Sequence, residues 1–258
     1  MLSQQLSKFQ VQMKAVLSSC TLAVKMKTLI LLLALAFVSS SFAACEIPAE
    51  IKNLECSKTF QANTQADLEK YLESYGVELS KKGVAGKPKH LEITKSMELE
   101  GDIHITTPCS VKIKKGQALT VNGSLCVNSQ KDIKLEKNSI NTSGSISLES
   151  AGEVAIGKSS ILNAGNSLLI SSGDDISISK DTAITGESLV IKSYSDLTIE
   201  KDSKLTIDND LVIESLSGKH ATLIQKNINI TAGNIYLKNS REVYLAKDVT
   251  FGAQAIII

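Results

Sequence analysis

The sequence predicts an all-β fold: a three-sided parallel β-helix (β-solenoid) of 21–22-residue coils, closed at its N-terminal end by a capping helix. The first observation is a repeat. An acidic or small residue, alternating apolar positions, a Lys and a turn residue recur in Asp132-Ile133-Lys134-Leu135-Glu136-Lys137-Asn138, Asp175-Ile176-Ser177-Ile178-Ser179-Lys180-Asp181 and Asp196-Leu197-Thr198-Ile199-Glu200-Lys201-Asp202. The lysines at 115, 137, 158, 180, 201, 226 and 247 are 22, 21, 22, 21, 25 and 21 residues apart. A fixed period in this range means stacked units that bury their apolar faces only against each other. The second observation is a set of apolar pairs in the same register: Ile103/Ile105, Leu125/Val127, Ile146/Leu148, Leu168/Ile170, Leu189/Ile191, Leu211/Ile213 and Ile235/Leu237. Spacing by two puts both members on one face of a strand. The third is punctuation. Gly stands near most coil ends, at 101, 123, 144, 165, 186 and 233, and no Pro follows Pro108, as expected of strands hydrogen-bonded on both sides.

One coil shows the plan. Ser188 to Asn209 holds Leu189/Ile191, Leu197/Ile199 and Leu205/Ile207, so three short strands share 22 residues. An 18-residue hexapeptide coil, a propeller blade of about 40 residues and a helical repeat all fit this period worse. Coils rise about 4.8 Å each, so seven make a rod of roughly 35 Å.

The chain divides into three stretches. Residues 1–43 read as a signal region. Within it, 26–43 form a signal peptide, with Lys27 before the apolar run Leu29–Val38 and small residues at Ser41 and Ala43; residues 1–25 read as an over-long start. The apolar run is too short to span a bilayer. A second reading makes the chain a lipoprotein acylated on Cys45. Residues 44–89 read as a cap with a short helix from Thr64 to Gly76. Thr64 is its N-cap, Asp67 its capping-box acid, and Leu68, Tyr71, Leu72 and Tyr75 its apolar stripe. Residues 90–258 read as the parallel β-helix. Ile256 and Ile258 occupy the first strand of an eighth coil, so that end is expected to continue into more chain or meet a partner.

Composition narrows function. Removing residues 1–43 takes away four lysines and no acid, which changes the net charge from +1 to −3. A slightly acidic chain without basic clusters is a poor nucleic-acid binder. Four cysteines remain: Cys45, Cys56, Cys109 and Cys126. An even count in an exported chain points to disulfides. Cys45–Cys56 with Cys109–Cys126 is the most local of the three pairings.

Capping helix, period and three-strand coils together resemble the pectin-lyase-like right-handed parallel β-helix superfamily, and also the repeat shafts of filamentous-haemagglutinin-type bacterial adhesins. The resemblance covers about residues 60–258 and rests on period and pattern, so it implies a fold and not an activity.

The candidate sites are weighed on chemistry. Lys115, Lys137, Lys158, Lys180, Lys201, Lys226 and Lys247 form a column expected at a water-facing corner. Neighbouring ammonium groups about 5 Å apart repel by roughly 1 kcal/mol in water. The column is either a cationic stripe for an acidic polymer or a solvated corner. The acids at 132, 153, 175, 196 and 242 read as solubility and edge protection. Asp181 and Asp202, 21 residues apart, are the best-registered carboxylate pair for a glycosidase or lyase, at about the 5 Å of a retaining pair. That chemistry also wants a sugar platform, and the coils hold only Tyr194, Tyr236 and Tyr244, with no Trp in the chain. Arg241 stands alone as the chain's single Arg. His90, His104 and His220 show no metal spacing, and no cofactor motif is present. The expected function is therefore a non-enzymatic, exported, bacterial cell-surface or extracellular scaffold, adhesive towards surface glycans or proteins. The competing functions are a polysaccharide-active enzyme of the same fold and an acidic-glycan-binding module using the lysines.

Overall fold

The computed structural model describes residues 58–71 and 89–258, apart from Asn239. Three parallel sheets run the length of these residues and hold nine, eight and eight strands. Sheet A begins with Lys58–Ala62 and Lys89–Ile93 and ends with Glu242–Leu245. Sheet B runs from Met97–Glu100 to Thr250–Gly252, and sheet C from Ile103–Thr107 to Ala255–Ile257. The chain passes A, B, C, A again, so each strand pairs with its equivalents one coil away. The expected architecture holds, a β-solenoid of eight turns counted on sheet B.

The coil from Ser188 has the three expected strands, Ser188–Ser193, Leu197–Ile199 and Lys204–Ile207. The period of two decides which side chains enter. Sheet A strands read buried, half-buried, buried in Val154–Ile156, Ile176–Ile178 and Leu197–Ile199. Register is exact from coil to coil: Ile156 faces Ile178 and Ile178 faces Ile199. All three are fully buried. The result is one continuous apolar core from Ala62 to Leu237.

The described part of the cap is helical over 65–71. Its capping box forms as expected. Thr64 Oγ1 accepts from the Asp67 amide at 3.1 Å, and Asp67 Oδ2 accepts from the Asn63 and Thr64 amides at 3.0 and 3.1 Å. The Asn63 amide, followed by the Thr64 hydroxyl, holds the Asp67 carboxyl below its ordinary value. Leu68 and Tyr71 are buried in the core. Leu72, Tyr75 and Gly76 lie outside the described residues, as do the signal region, Cys45 and Cys56. Sheet A already contains Lys58–Ala62, which pairs with Lys89–Ile93, so strand pairing starts inside the 44–89 stretch.

The interior also contains polar columns that hydropathy does not reveal. Thr107, Ser129, Ser150, Ser172, Ser193 and Ser215 all point inward at the end of sheet C and are buried. They stack in register. Each hydroxyl from 129 to 193 reaches back one coil to a corner carbonyl. Ser129 donates to Cys109 at 2.7 Å, Ser150 to Lys131, Ser172 to Gly152 at 2.5 Å and Ser193 to Asp174 at 3.0 Å. The oxygens of Ser129, Ser150 and Ser172 also accept the amide two residues on, as Ser172 does from Asp174 at 3.0 Å. Tyr71 starts the column. Its hydroxyl donates to the Lys89 carbonyl at 2.7 Å and so accepts from Thr107 at 2.8 Å. The column fails at Ser215, whose hydroxyl has no partner. Ser215 stands just before the extra residues of the longest interval between repeat lysines, 201 to 226.

Glycines act here by closeness more than by conformation. A Cβ on Gly165 would run into the Ser143 carbonyl of the preceding coil.

Two measurements test this core. Ile199→Asp buries an unpaired carboxylate and is expected to cost at least about 3 kcal/mol; a melting temperature that did not move would refute the register. Ser172→Ala strands the Gly152 carbonyl and the Asp174 amide and is expected to cost about 1–3 kcal/mol in urea unfolding. Ser171→Ala, on the outward side of the same strand, is expected to stay within about 0.5 kcal/mol.

Candidate functional site: the lysine corner

The seven repeat lysines stand at the corner between sheets A and B. The corner needs a left-handed residue, and the residue after the Lys supplies it: Gly116, Ser159, Asp181, Asp202, Asn227 and Asp248 have φ between 56° and 80°. Gly, Asn and Asp tolerate this region best. The next residue turns inward, and Ser160, Thr182 and Ser203 are buried there beside Asn138.

The lysine backbone is part of the frame. The left-handed amide donates to the lysine carbonyl of the next coil: Gly116 to Lys137 at 3.0 Å, Ser159 to Lys180 at 3.0 Å, Asp181 to Lys201 at 3.2 Å, Asp202 to Lys226 at 3.3 Å and Asn227 to Lys247 at 3.3 Å. Their side chains face solvent, as expected of a water-facing corner. Lys115, Lys137, Lys158, Lys226 and Lys247 are exposed, and Lys180 and Lys201 are half-buried. Lys158 approaches Asp181 and Lys247 approaches Asp248, each at 3.8 Å. Exposed contacts of this length contribute about 0–1 kcal/mol. The other five have no ion pair among the described residues.

One coil breaks the pattern. Between Ile156 and the sheet B residue Ile161 lie four residues; between their equivalents Leu135 and Ser139 lie three. Lys137 itself takes the left-handed conformation, with φ 51°. Asn138 turns inward, and its amide goes to Ser160 Oγ at 3.2 Å. The rung that would reach the Lys158 carbonyl is missing among the described residues. Here the surface is dented: a shallow depression of ≈ 660 Å³ is lined by Lys115, Lys134, Lys137 and Lys158, with Glu136 and Gly157.

The depression is not uniformly cationic. Lys112 pairs with Glu136 at 2.6 Å, and Lys134 bridges Asp132 at 3.1 Å and Glu153 at 3.6 Å. The bond to Lys112 lowers the Glu136 carboxyl, and the bond to Asp132 raises the Lys134 ammonium. Lys115 and Lys137 keep uncompensated charge at its rim.

The acid column does more than solubilise. Asp132 Oδ1 accepts from the Glu153 amide at 3.2 Å, Asp175 Oδ1 from the Asp196 amide at 2.9 Å and Asp196 Oδ1 from the Ala221 amide at 3.1 Å. These carboxylates pair amides at the mouth of sheet A strands in the following coil. Neither this role nor the inward hydroxyl column was visible in charge patterning, although Ser recurs at 129, 150, 172, 193 and 215 with the lysine period.

Asp181 and Asp202 occupy the left-handed slot in successive coils, exposed to solvent. Asp181 faces Lys158, and Asp202 Oδ1 accepts from Asn227 Nδ2 at 3.0 Å. The tyrosines are dispersed: Tyr236 is on sheet C, Tyr244 on sheet A and Tyr194 in a turn. His90 Nδ1 accepts from Ser110, and His220 Nδ1 lies 3.4 Å from Asp196. Among the described residues no three His, Cys, Asp or Glu side chains gather to hold a metal, and no helix is long and apolar enough to cross a membrane. Cys109 and Cys126 are buried.

Compared with family models, curated proteins and solved structures, the chain matches none. Its likeness to other parallel β-helices is one of architecture.

Proposed function

We propose that the chain is an exported, non-enzymatic β-solenoid that serves as a cell-surface or extracellular scaffold with an adhesive role. One observation carries this reading. Most polar groups recurring at the coil period hold coil to coil, the hydroxyl column on corner carbonyls, the acid column on amides and the lysine backbone carbonyls on left-handed amides, while the lysine side chains extend into solvent. A binding or catalytic cleft needs convergent polar groups left over from such work. The resemblance to adhesin shafts and to pectin-lyase-like proteins favours an elongated exported framework. The signal pattern at 26–43 and the even cysteine count that remains without it support an oxidising compartment.

Two experiments test it. A chain starting at Met26 is expected in the periplasm or medium with Ala44 as its first residue; a diacylglyceryl group on Cys45 would establish the lipoprotein instead. Incubated with polygalacturonate and other acidic polysaccharides, the mature protein is expected to release no reducing or unsaturated ends. Release abolished by Asp181→Asn with Asp202→Asn would overturn the non-enzymatic reading.

The dented lysine corner favours a second reading, binding of an acidic glycan. Its volume falls in the range of small-ligand clefts, about 300–1,000 Å³. That reading expects retention on a heparin column that falls steeply with salt and is lost in the Lys115→Gln, Lys137→Gln, Lys158→Gln triple variant. The scaffold reading expects weak retention already in the wild type, because the mature chain carries a net charge of −3.

A further inference from the structure

The chain contains one Asn-Gly pair, Asn122-Gly123, at the end of the sheet B strand Ala118–Asn122. Its two residues are held for different reasons. Gly123 lies so close to Gly101 of the preceding coil that a Cβ would run into the Gly101 carbonyl, and only Gly fits there. Asn122 is exposed, and its side chain bridges coils. Its Nδ2 donates to Glu100 Oε2 at 3.0 Å, and its Oδ1 accepts from Ser143 Oγ at 3.4 Å. Glu100-Gly101 and Ser143-Gly144 stand in the same place one coil away and hold the glycine without the Asn. The pair therefore sets a nucleophile beside an electrophile in this coil. The Gly123 amide donates no hydrogen bond among the described residues, and with no Cβ beside it the nitrogen is unhindered. The carboxamide carbon of Asn122 is its neighbour in the chain and is open to water.

We infer that Asn122 is a site of spontaneous deamidation, with water as the co-reactant, and that its conversion loosens the first coils of the rod. The Gly123 nitrogen attacks Cγ of Asn122. A new C–N bond forms, the Cγ–Nδ2 bond breaks, and ammonia leaves with the proton from the Gly123 nitrogen. The cyclic imide then takes up a water. Opening at the side-chain carbonyl gives aspartate; opening at the main-chain carbonyl gives isoaspartate, with the main chain rerouted through the side chain. No electrons change hands. Either product replaces the Nδ2 donor by a carboxylate facing Glu100, and like charges directly opposite destabilise a sheet. Isoaspartate also lengthens the main chain between two coil-to-coil bonds, Gly101 amide to Asn122 carbonyl at 3.1 Å and Gly144 amide to Gly123 carbonyl at 2.9 Å. The Glu100 amide donates to Gln65 Oε1 of the capping helix at 3.4 Å, so the loosening falls where cap meets rod.

Folded protein is incubated at neutral and at mildly alkaline pH, then reduced, alkylated, digested with trypsin and read by tandem mass spectrometry. Peptide 116–131 carries Asn122 and, as an internal reference, Asn128. The mass gain of an amide-to-acid exchange is expected at Asn122 several-fold faster than at Asn128, and faster at the higher pH. The same peptide is expected to accept methyl groups from protein L-isoaspartyl methyltransferase. Asn122→Gln, whose longer side chain disfavours the ring, is expected to lose both signals. Aged wild type and the Asn122→Asp variant are expected to melt below fresh wild type. Folded protein that keeps Asn122 intact while the denatured chain converts overturns the inference, as does conversion of Asn128 at the same rate. An Asn122→Asp variant that melts with wild type overturns the loosening of the first coils.

Discussion

Every coil must turn three corners without leaving a buried backbone amide or carbonyl unpaired, and that constraint organises the molecule. Between corners the sheets pair the backbone. At corners the strands stop, and the chain still borders a dry core. The structure meets the constraint with one device per corner, repeated each turn. At the C–A corner the inward hydroxyls of Ser129 to Ser193 reach back to carbonyls of the preceding coil. At the A–B corner a left-handed residue aims its amide at the next lysine carbonyl. Tyr71 extends the first device into the cap, where its phenol stands where a further hydroxyl rung would be. Capping and coiling thus follow one rule.

The same repetition creates an electrostatic difficulty. Any charged residue in the motif returns one coil later, about 5 Å away, with the same sign. The acids escape it by accepting amides of the following coil. The lysines escape it by extending into solvent, where screening is strong, and twice by leaning on Asp181 or Asp248. On the outer face of sheet A, ion pairs join opposite charges of neighbouring coils: Lys114 bonds Glu92 at 2.9 Å and Lys112 bonds Glu136 at 2.6 Å.

Period and alternation made the architecture legible, because the inward apolar pairs are a direct record of strand faces. The stack Ile156, Ile178, Ile199 follows from spacing alone. So do the helix start at Thr64 and the solvent-facing lysines. The hydroxyl column was equally periodic but was passed over, since Ser next to turns is ordinarily explained by turn geometry and only the fold reveals that Ser172 points inward. The coil-end glycines mark bends in the sequence, whereas the left-handed slot of the A–B corner falls to the residue after the Lys. Lys137 could not be distinguished from its counterparts by sequence, because the missing residue lies between motifs and leaves the lysine spacing at 22 and 21.

A solenoid built this way concentrates individuality where the repeat is interrupted. An unperturbed coil spends its polar groups on its neighbours, so it presents only a solvated, repetitive surface. Two interruptions stand out among the described coils. The short corner at Lys137 loses a rung, turns Asn138 inward with its Oδ1 unpaired and dents the surface. The long interval at Ser215 adds a turn around Gly218, whose φ is 63°, and the Ser215 hydroxyl beside it is unpaired. Each leaves a buried polar atom unpaired, at about 1–3 kcal/mol. Lengthening the Lys137 corner by one residue would restore the rung to Lys158 and fill the dent. If the corner is only a defect, that insertion stabilises the rod and changes nothing else. If the dent holds a glycan anion, stability rises while retention on the polyanion falls, and the opposite signs separate scaffold from binding module.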